Sequence, residues 1–305
     1  MSSQNPVPPF RSGYVAIVGR PNVGKSTLMN RLLGQKISIT SSRPQTTRHR
    51  IIGIHTAADH QAVYVDTPGL HREAKKAMNR YLNRAAGSSL IGVQLVLMVI
   101  EAGRWSEEDE DVLTRVQQSG APAVLVINKV DRLPDKAALL PLMQQLATRG
   151  EFVEMVPLSA LQNDNLAALE QCVAQRLPAG EPLYPEDQVT DRSVRFLAAE
   201  LVREKLMRRL GKELPYAVTV EIEQFREDQH GTIHIAALIW VERDSQKRIV
   251  IGSGGQQLKQ VGIDAREALQ QLLDQRVYLQ LWVKVKAGWS DSERLLNTLG
   301  YRDEG

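Results

Sequence analysis

The N-terminal part of the chain alternates short apolar runs with segments of helical spacing. Residues 14–18 form an apolar run that ends in Gly19, and 25–33 reads as a helix. Residues 50–55 and 61–66 are β-rich runs separated by polar 56–60. Residues 93–101 are almost continuously apolar, as in a strand covered on both faces. Ser106 opens a helix whose first turn carries Glu107, Glu108 and Asp109, which suits the helix dipole. A buried strand is expected over 123–127, a helix over 136–148, a strand over 152–158 and a helix over 165–176. Strand alternating with helix at these lengths predicts a parallel α/β sheet.

Pro178, Gly180, Pro182 and Pro185 then exclude a helix interior and predict a linker. Beyond it the rhythm changes. A long helix is expected from a cap at Asp191 to about Leu210, with Val194, Leu197, Ala198, Leu201, Val202 and Leu206 at helical spacing. Strands are expected over 215–223 and 232–242, a helix over 256–273, and a strand over 277–286, where Leu279, Leu281, Val283 and Val285 alternate. This order predicts an α+β domain. A short helix over 290–299 closes the chain. The resulting division is a flexible 1–12, a first domain 13–178, a linker 179–189, a second domain 190–287, and a C-terminal helix and tail 288–305.

A length of 305 residues suits about two domains. With 43% hydrophobic and 24% charged residues, wholesale disorder is excluded. The longest clean apolar run, 95–100, is far short of the ~20 residues a membrane-spanning helix needs. Residues 1–13 carry three prolines and no apolar core, so no secretory signal is read there. A single cysteine, Cys172, excludes an internal disulfide and a Cys-cluster metal site. A soluble, cytoplasmic protein is the expectation. Up to residue 185 there are 20 basic and 16 acidic residues, and beyond it 18 and 19. Neither part is strongly basic, so a nucleic-acid role has to rest on local clustering.

Gly19, Arg20, Pro21, Asn22, Val23, Gly24, Lys25 and Ser26, followed by Thr27, fit the phosphate-binding loop in full, between a strand and a helix. Glycines let backbone N–H groups curl around phosphate oxygens. Lys25 brings charge to the β and γ phosphates, and the Ser26 hydroxyl suits Mg²⁺. Asp66, Thr67, Pro68 and Gly69 follow a second strand; Asp66 would hold Mg²⁺ through water, and the Gly69 N–H would sense the γ phosphate. Asn128, Lys129, Val130 and Asp131 follow a buried strand. The Asp131 carboxylate can accept from the guanine N1–H and NH₂, a donor pair adenine lacks. Asn128 and Lys129 would brace the loop and cover the ring, and Ser159, Ala160 and Leu161 would complete the pocket.

These elements, in this order, resemble the translation-factor-like GTPases over about 14–176. The resemblance implies that Gln45, Thr46, Thr47, Arg48 and His49 are switch I, with Thr47 preferred over Thr46 as the Mg²⁺ ligand. It makes 66–70 switch II, with Leu70 where many relatives carry a water-orienting Gln. Slow unaided hydrolysis follows, or hydrolysis completed by another group or a partner. Related GTPases with Asn at the Asn22 position bind K⁺ beside the phosphates; Asn22 is either such a ligand or a purely structural loop residue.

In the second domain, apolar 249–251 read as a strand end, followed by Gly252, Ser253, Gly254, Gly255 and a helix bearing Lys259. Such a loop lets helix ends approach a sugar-phosphate backbone. The element order resembles the type II KH fold; the alternative is a tight turn in a protein-docking domain. Arg203, Lys205, Arg208, Arg209 and Lys212 crowd the end of the first helix. The tryptophans read as packing residues. The fold class is therefore an α/β P-loop GTPase domain, mixed and mostly parallel, followed by an α+β type II KH domain. Together they resemble the Era-type bacterial GTPases. What the resemblance implies is a monomeric switch that binds GTP and GDP, uses Mg²⁺ and, where Asn22 is a K⁺ ligand, K⁺, and contacts the 3′ region of 16S rRNA and the 30S subunit. It also implies peripheral association with the inner membrane, for which the helix 191–210 is the one candidate.

Overall fold

The structure is a computed structural model that describes residues 9–41, 43, 45–68, 77–211 and 214–301. Two compact units emerge. The first comprises 1–35, 50–70 and 85–191, and the second 36–49, 71–84 and 192–305. In chain order the first half contains β1 (Arg11–Val18), α1 (Lys25–Leu32), β2 (Ile51–Thr56), β3 (His60–Asp66), α2 (Ala77–Ser88), β4 (Leu95–Glu101), α3 (Glu107–Ser119), β5 (Ala123–Asn128), α4 (Leu139–Ala147), β6 (Glu154–Pro157) and α5 (Leu166–Arg176). Most of α2 belongs with the second unit.

In the first unit the six strands form one sheet in the order β2-β3-β1-β4-β5-β6, with β2 antiparallel and the others parallel. The central strands are apolar on both faces because both faces are covered. Val15, Ala16, Ile17, Leu95–Val99 and Val124–Ile127 are fully buried. Each such valine, leucine, isoleucine or methionine side chain contributes roughly 1.5–3 kcal/mol of transfer free energy. The parallel register brings the C-terminal ends of these strands to one rim, where Gly19, Asp66, Glu101, Asn128 and Ser159 follow or end them. In an open α/β sheet that rim is where ligands bind.

Both margins of this sheet are covered. Along β2, Ile54 N–H donates to the Val189 carbonyl at 2.8 Å, and Thr190 Oγ1 donates to the Ile52 carbonyl at 2.6 Å. Along β6, Asn165 Nδ2 donates to the Pro157 carbonyl at 2.8 Å, and Arg176 donates to the Val153 carbonyl at 3.2 Å. The stretch expected as a linker is laid on the first unit throughout: Ser12 Oγ donates to the Glu181 carbonyl, and Leu183 and Tyr184 donate to Gln61 Oε1.

The second unit contains α6 (Val194–Arg209), β7 (Thr219–Glu227), β8 (Thr232–Val241), α7 (Asp244–Ile251), α8 (Gln256–Leu273), β9 (Arg276–Val285) and α9 (Glu293–Thr298). Its sheet runs β7-β8-β9, antiparallel then parallel. Leu201, Val202 and Leu206 of α6 pack with Ile235, Ile239, Val261 and Leu269 into its core. A smaller cluster joins Met78, Tyr81 and Leu82 of α2 to Trp289, Leu296 and Tyr301.

Four local expectations need correction. Residues 249–251 are not a strand end: they close α7, at whose start Gln246 Oε1 accepts from Glu242 N–H at 2.8 Å and Arg243 N–H at 3.0 Å. The β-branched triplet suggested a strand, but only Val250 of that helix is buried. The cap of α6 is Ser193, whose hydroxyl accepts from Phe196 N–H, rather than Asp191. Residues 214–217 form a 3₁₀ turn, so β7 begins at Thr219. Helix α2 was not foreseen.

Candidate nucleotide site and glycine-rich loop

Gly24 caps α1 with a left-handed backbone, φ 104°, and Gly19 turns out of β1. A Cβ at Gly24 would collide with the Asn128 amide, and one at Gly19 with the Val99 carbonyl. Only glycine fits either position. Between them the chain curls so tightly that Lys25 Nζ donates back to the carbonyls of Gly19, 2.8 Å, and Arg20, 3.1 Å. Burial brings the Lys25 ammonium down to about 8; Asp66 opposes the shift and Arg20 reinforces it. A cation held this dry, ringed by backbone, is poised for an anion. Val23 is buried, Asn22 takes a left-handed backbone at φ 66°, and Pro21 and Thr27 flank the turn.

Ser26 Oγ donates to Asp66 Oδ2 at 2.8 Å, and Asp66 is fully buried at the end of β3. A hydroxyl and a carboxylate this close are hard oxygen donors that suit Mg²⁺. Thr67 donates to the Ile17 carbonyl and fixes the turn after Asp66; Pro68 is buried beside it. Gly69 and Leu70 lie outside the described residues.

Asn128 joins three loops. Its Nδ2 donates to the Val23 carbonyl at 2.8 Å, while its Oδ1 accepts from Lys129 N–H at 2.8 Å and Ala160 N–H at 3.0 Å. Lys129 Nζ reaches the Asn22 carbonyl at 2.7 Å. Ser159 Oγ donates to Asp131 Oδ1 at 2.5 Å, which orients an exposed carboxylate at the rim. Val130, buried, anchors the short turn that carries it. Arg31, which pattern reading passed over, donates to the carbonyls of Ala160 and Leu161 and holds that loop against α1.

Gln45, Thr46, Thr47, Arg48 and His49 are not in this cluster; they belong to the second unit. There Arg203 donates to the Thr46 carbonyl at 2.5 Å while also pairing with Glu200. Arg43 donates to the carbonyls of Met207 and Leu210, and Lys36 pairs with Glu204 at 2.8 Å. Arg48 is fully buried and donates to the Val218 carbonyl. His49 stacks on Tyr301, ring centroids 4.6 Å apart, and burial lowers its pKa to about 3. Gln45 Nε2 donates to Asn79 Oδ1. The basic end of α6 is thus largely engaged inside its own unit, with Arg209 also paired to Asp264; Lys212 lies outside the described residues.

Gly252–Gly255 joins α7 to α8 as one short turn. Gly252, Gly254 and Gly255 all have positive φ, and a Cβ at Gly252 would press on Gln257. Ser253 and Gly254 are exposed, Gly255 caps α8, and Lys259 sits exposed on its first turns. The loop offers backbone N–H groups and the positive end of an eighteen-residue helix to an anion.

A phosphate loop, a hydroxyl–carboxylate pair and a carboxylate-bearing base loop on one rim define a P-loop GTPase, here followed by a KH fold. The family model described as 50S ribosome-binding GTPase matches residues 14–129, and that described as KH domain matches 213–290. The chain is 58% identical over 294 residues to GTPase Era of Azotobacter vinelandii, covering 96% of this chain and 98% of that one. GTPase Era of Actinobacillus pleuropneumoniae is 54% identical over 304 residues and the full length of both. The chain therefore belongs to the Era family of GTPases. Among solved structures, an Aquifex aeolicus Era variant bound to GDP·AlF₄⁻ superposes with a TM-score of 0.92 at 38% identity, covering 96% of this chain and 99% of that one. The same figures hold for an Era in complex with MgGDPNP and nucleotides 1506–1542 of 16S ribosomal RNA.

Proposed function

We propose that this GTPase is a switch that binds the 3′ region of 16S rRNA through residues 252–255 and acts in maturation of the 30S subunit. The observation that carries the reading is the likeness, over 96% of the chain, to an Era held with MgGDPNP and 16S rRNA nucleotides. The chain's own groups suit each task. Loop N–H groups and Lys25 take the β and γ phosphates, and Asp131 selects guanine. Ser26 and, through water, Asp66 would hold Mg²⁺, which when bound neutralises charge on the phosphates. Lys25, already desolvated, needs no further stripping of water to meet an anion. In the second unit, Ser253, Gly254 and Lys259 face the RNA backbone. The monomeric, cytoplasmic state belongs to the same proposal. Among the described residues no helix is long and apolar enough to cross a membrane. Contact with the inner membrane would rest on charge at the end of α6, whose apolar residues lie in the core.

Filter binding of an RNA spanning the 16S 3′ end, with a non-hydrolysable GTP analogue, GDP or neither, tests this. Affinity should be higher with the analogue and should fall steeply between about 50 and 200 mM salt as counterions are released. Absent or salt-insensitive binding would transfer the second unit to protein docking. A K⁺ role for Asn22 is part of the proposal. Turnover should be faster in KCl than in NaCl at equal ionic strength, and Asn22→Ala should erase the difference. Equal wild-type rates would refute it.

A further inference from the structure

We infer that Glu101 is a positioning residue for bound nucleotide: it ties Lys129 of the base loop and Arg20 of the phosphate loop to one point, and so sets the rate of nucleotide release. Glu101 ends β4 directly beside Asn128, its register partner on β5. Its Oε2 lies 3.0 Å from Lys129 Nζ and 3.4 Å from Arg20 Nη2. Lys129 Nζ also grips the Asn22 carbonyl, so one ammonium spans the base loop, the phosphate loop and Glu101. Arg20 in turn donates through Nε to Asp109 Oδ2 at 3.1 Å. Asp109 is fully buried and is locked by Ser106 N–H at 2.9 Å and Ser106 Oγ at 2.8 Å.

The arrangement is a relay of fixed carboxylates behind the site rather than a part of the binding surface. Side-chain exposure separates the contacts that matter. Glu101, Lys129 and Arg20 are 20%, 17% and 8% exposed, whereas Arg132, a third cation on Glu101 at 3.3 Å, is 63% exposed. Shielded, hydrogen-bonded pairs hold geometry; a solvated one contributes little. Burial opposes ionisation of Glu101, yet Lys129, Arg20 and Arg132 together hold its carboxyl below the usual range. The inference rests on the nucleotide site proposed above, in which nucleotide leaves as base loop and phosphate loop part. An anion that fixes Lys129 in the bridging rotamer spares bound nucleotide the cost of ordering it.

Release of mant-GDP and of a mant-labelled non-hydrolysable GTP analogue, followed by stopped flow, tests the inference. Glu101→Gln should speed both releases about tenfold, the scale of one charge-assisted hydrogen bond. Glu101→Asp should recover part of the loss. Arg132→Ala should leave both rates unchanged. In a double-mutant cycle, Glu101→Gln should add little once Lys129→Met is present. A scaffold residue that merely stabilises the unit would give independent, multiplicative effects in that cycle. Multiplicative rates, or an unchanged release rate in Glu101→Gln, would overturn the inference; thermal melts below which all variants stay folded fix the temperature of the comparison.

Discussion

Asn128→Ala isolates the joint between the two nucleotide loops. The side chain is 2% exposed and makes three hydrogen bonds, to Val23, Lys129 and Ala160. Truncation leaves three backbone groups unpaired, two of them buried and one half-buried, at about 1 kcal/mol each, so about 3 kcal/mol in all. If that energy preorganises the site, its loss appears in binding, and 1.4 kcal/mol is a factor of ten. The dissociation constant for mant-GDP should therefore rise by about two orders of magnitude. Asn128→Asp keeps the two acceptor bonds but sets a carboxylate against the Val23 carbonyl, so it should be intermediate between Ala and wild type if all three bonds count. Equilibrium fluorescence titration reads both. An Asn128→Ala protein within threefold of wild type would show that the loops hold their positions without this joint.

Three further outcomes follow from the same structure. Lys25 titrates at about 8 without ligand, and phosphate favours its charged form. Binding of nucleotide at pH 8.5 should then take up a proton, seen by calorimetry in buffers of different ionisation enthalpy; below pH 7 the ammonium is already formed, so the uptake should vanish, as it should in Lys25→Met. His49 accepts a proton near pH 6.5 when unfolded but only near 3 when folded, so the unfolded state gains protons first and stability falls as pH drops between those values, at up to about 1.4 kcal/mol per unit. His49→Phe, which keeps an aromatic ring against Tyr301, should lose about 2 kcal/mol less than wild type between pH 7 and pH 5 in urea unfolding; parallel losses would refute a neutral buried His49. In the glycine-rich loop, Gly254 needs its positive φ, so anionic substitution belongs at Ser253 and Lys259: Ser253→Asp with Lys259→Glu should abolish rRNA binding in filter assays while GTP affinity stays within twofold, and retained RNA binding would move the RNA site elsewhere.

The loops proposed to hold nucleotide stand out in the sequence because their chemistry demands particular residue types at fixed spacing, and the rim was legible because buried strands announce themselves as unbroken apolar runs. What pattern could not reveal is long-range partnership. Residues 45–49 look like a polar loop, but Arg203 and Tyr301, more than 150 positions away, decide how they are packed. Glu101 carries a signal in the sequence, a lone acid ending a buried strand beside the one that leads to Asn128. Helix α2 also carried one: Ala77, Met78, Tyr81, Leu82 and Ala85 repeat at helical spacing and are buried. Helix α7 misled because Ile249, Val250 and Ile251 favour strand locally, whereas Gly252 closes the segment as a helix cap.

The covered margins of the six-stranded sheet bear on how this protein stays apart from its neighbours in a crowded solution. An open strand margin is a template for intermolecular pairing and aggregation. On β6 the hazard is met by shortness, a proline and two side chains drawn across the carbonyls. On β2 it is met by Val189 and Thr190, which lie beyond the proline-rich stretch that marks the apparent end of the domain. The segment that joins the two units thus also acts as a gatekeeper strand for the first. A fragment cut at Pro178 would keep every first-unit residue proposed to bind nucleotide and yet bare the β2 margin, so the strand that covers β2 is kept only by a fragment that runs to Asp191.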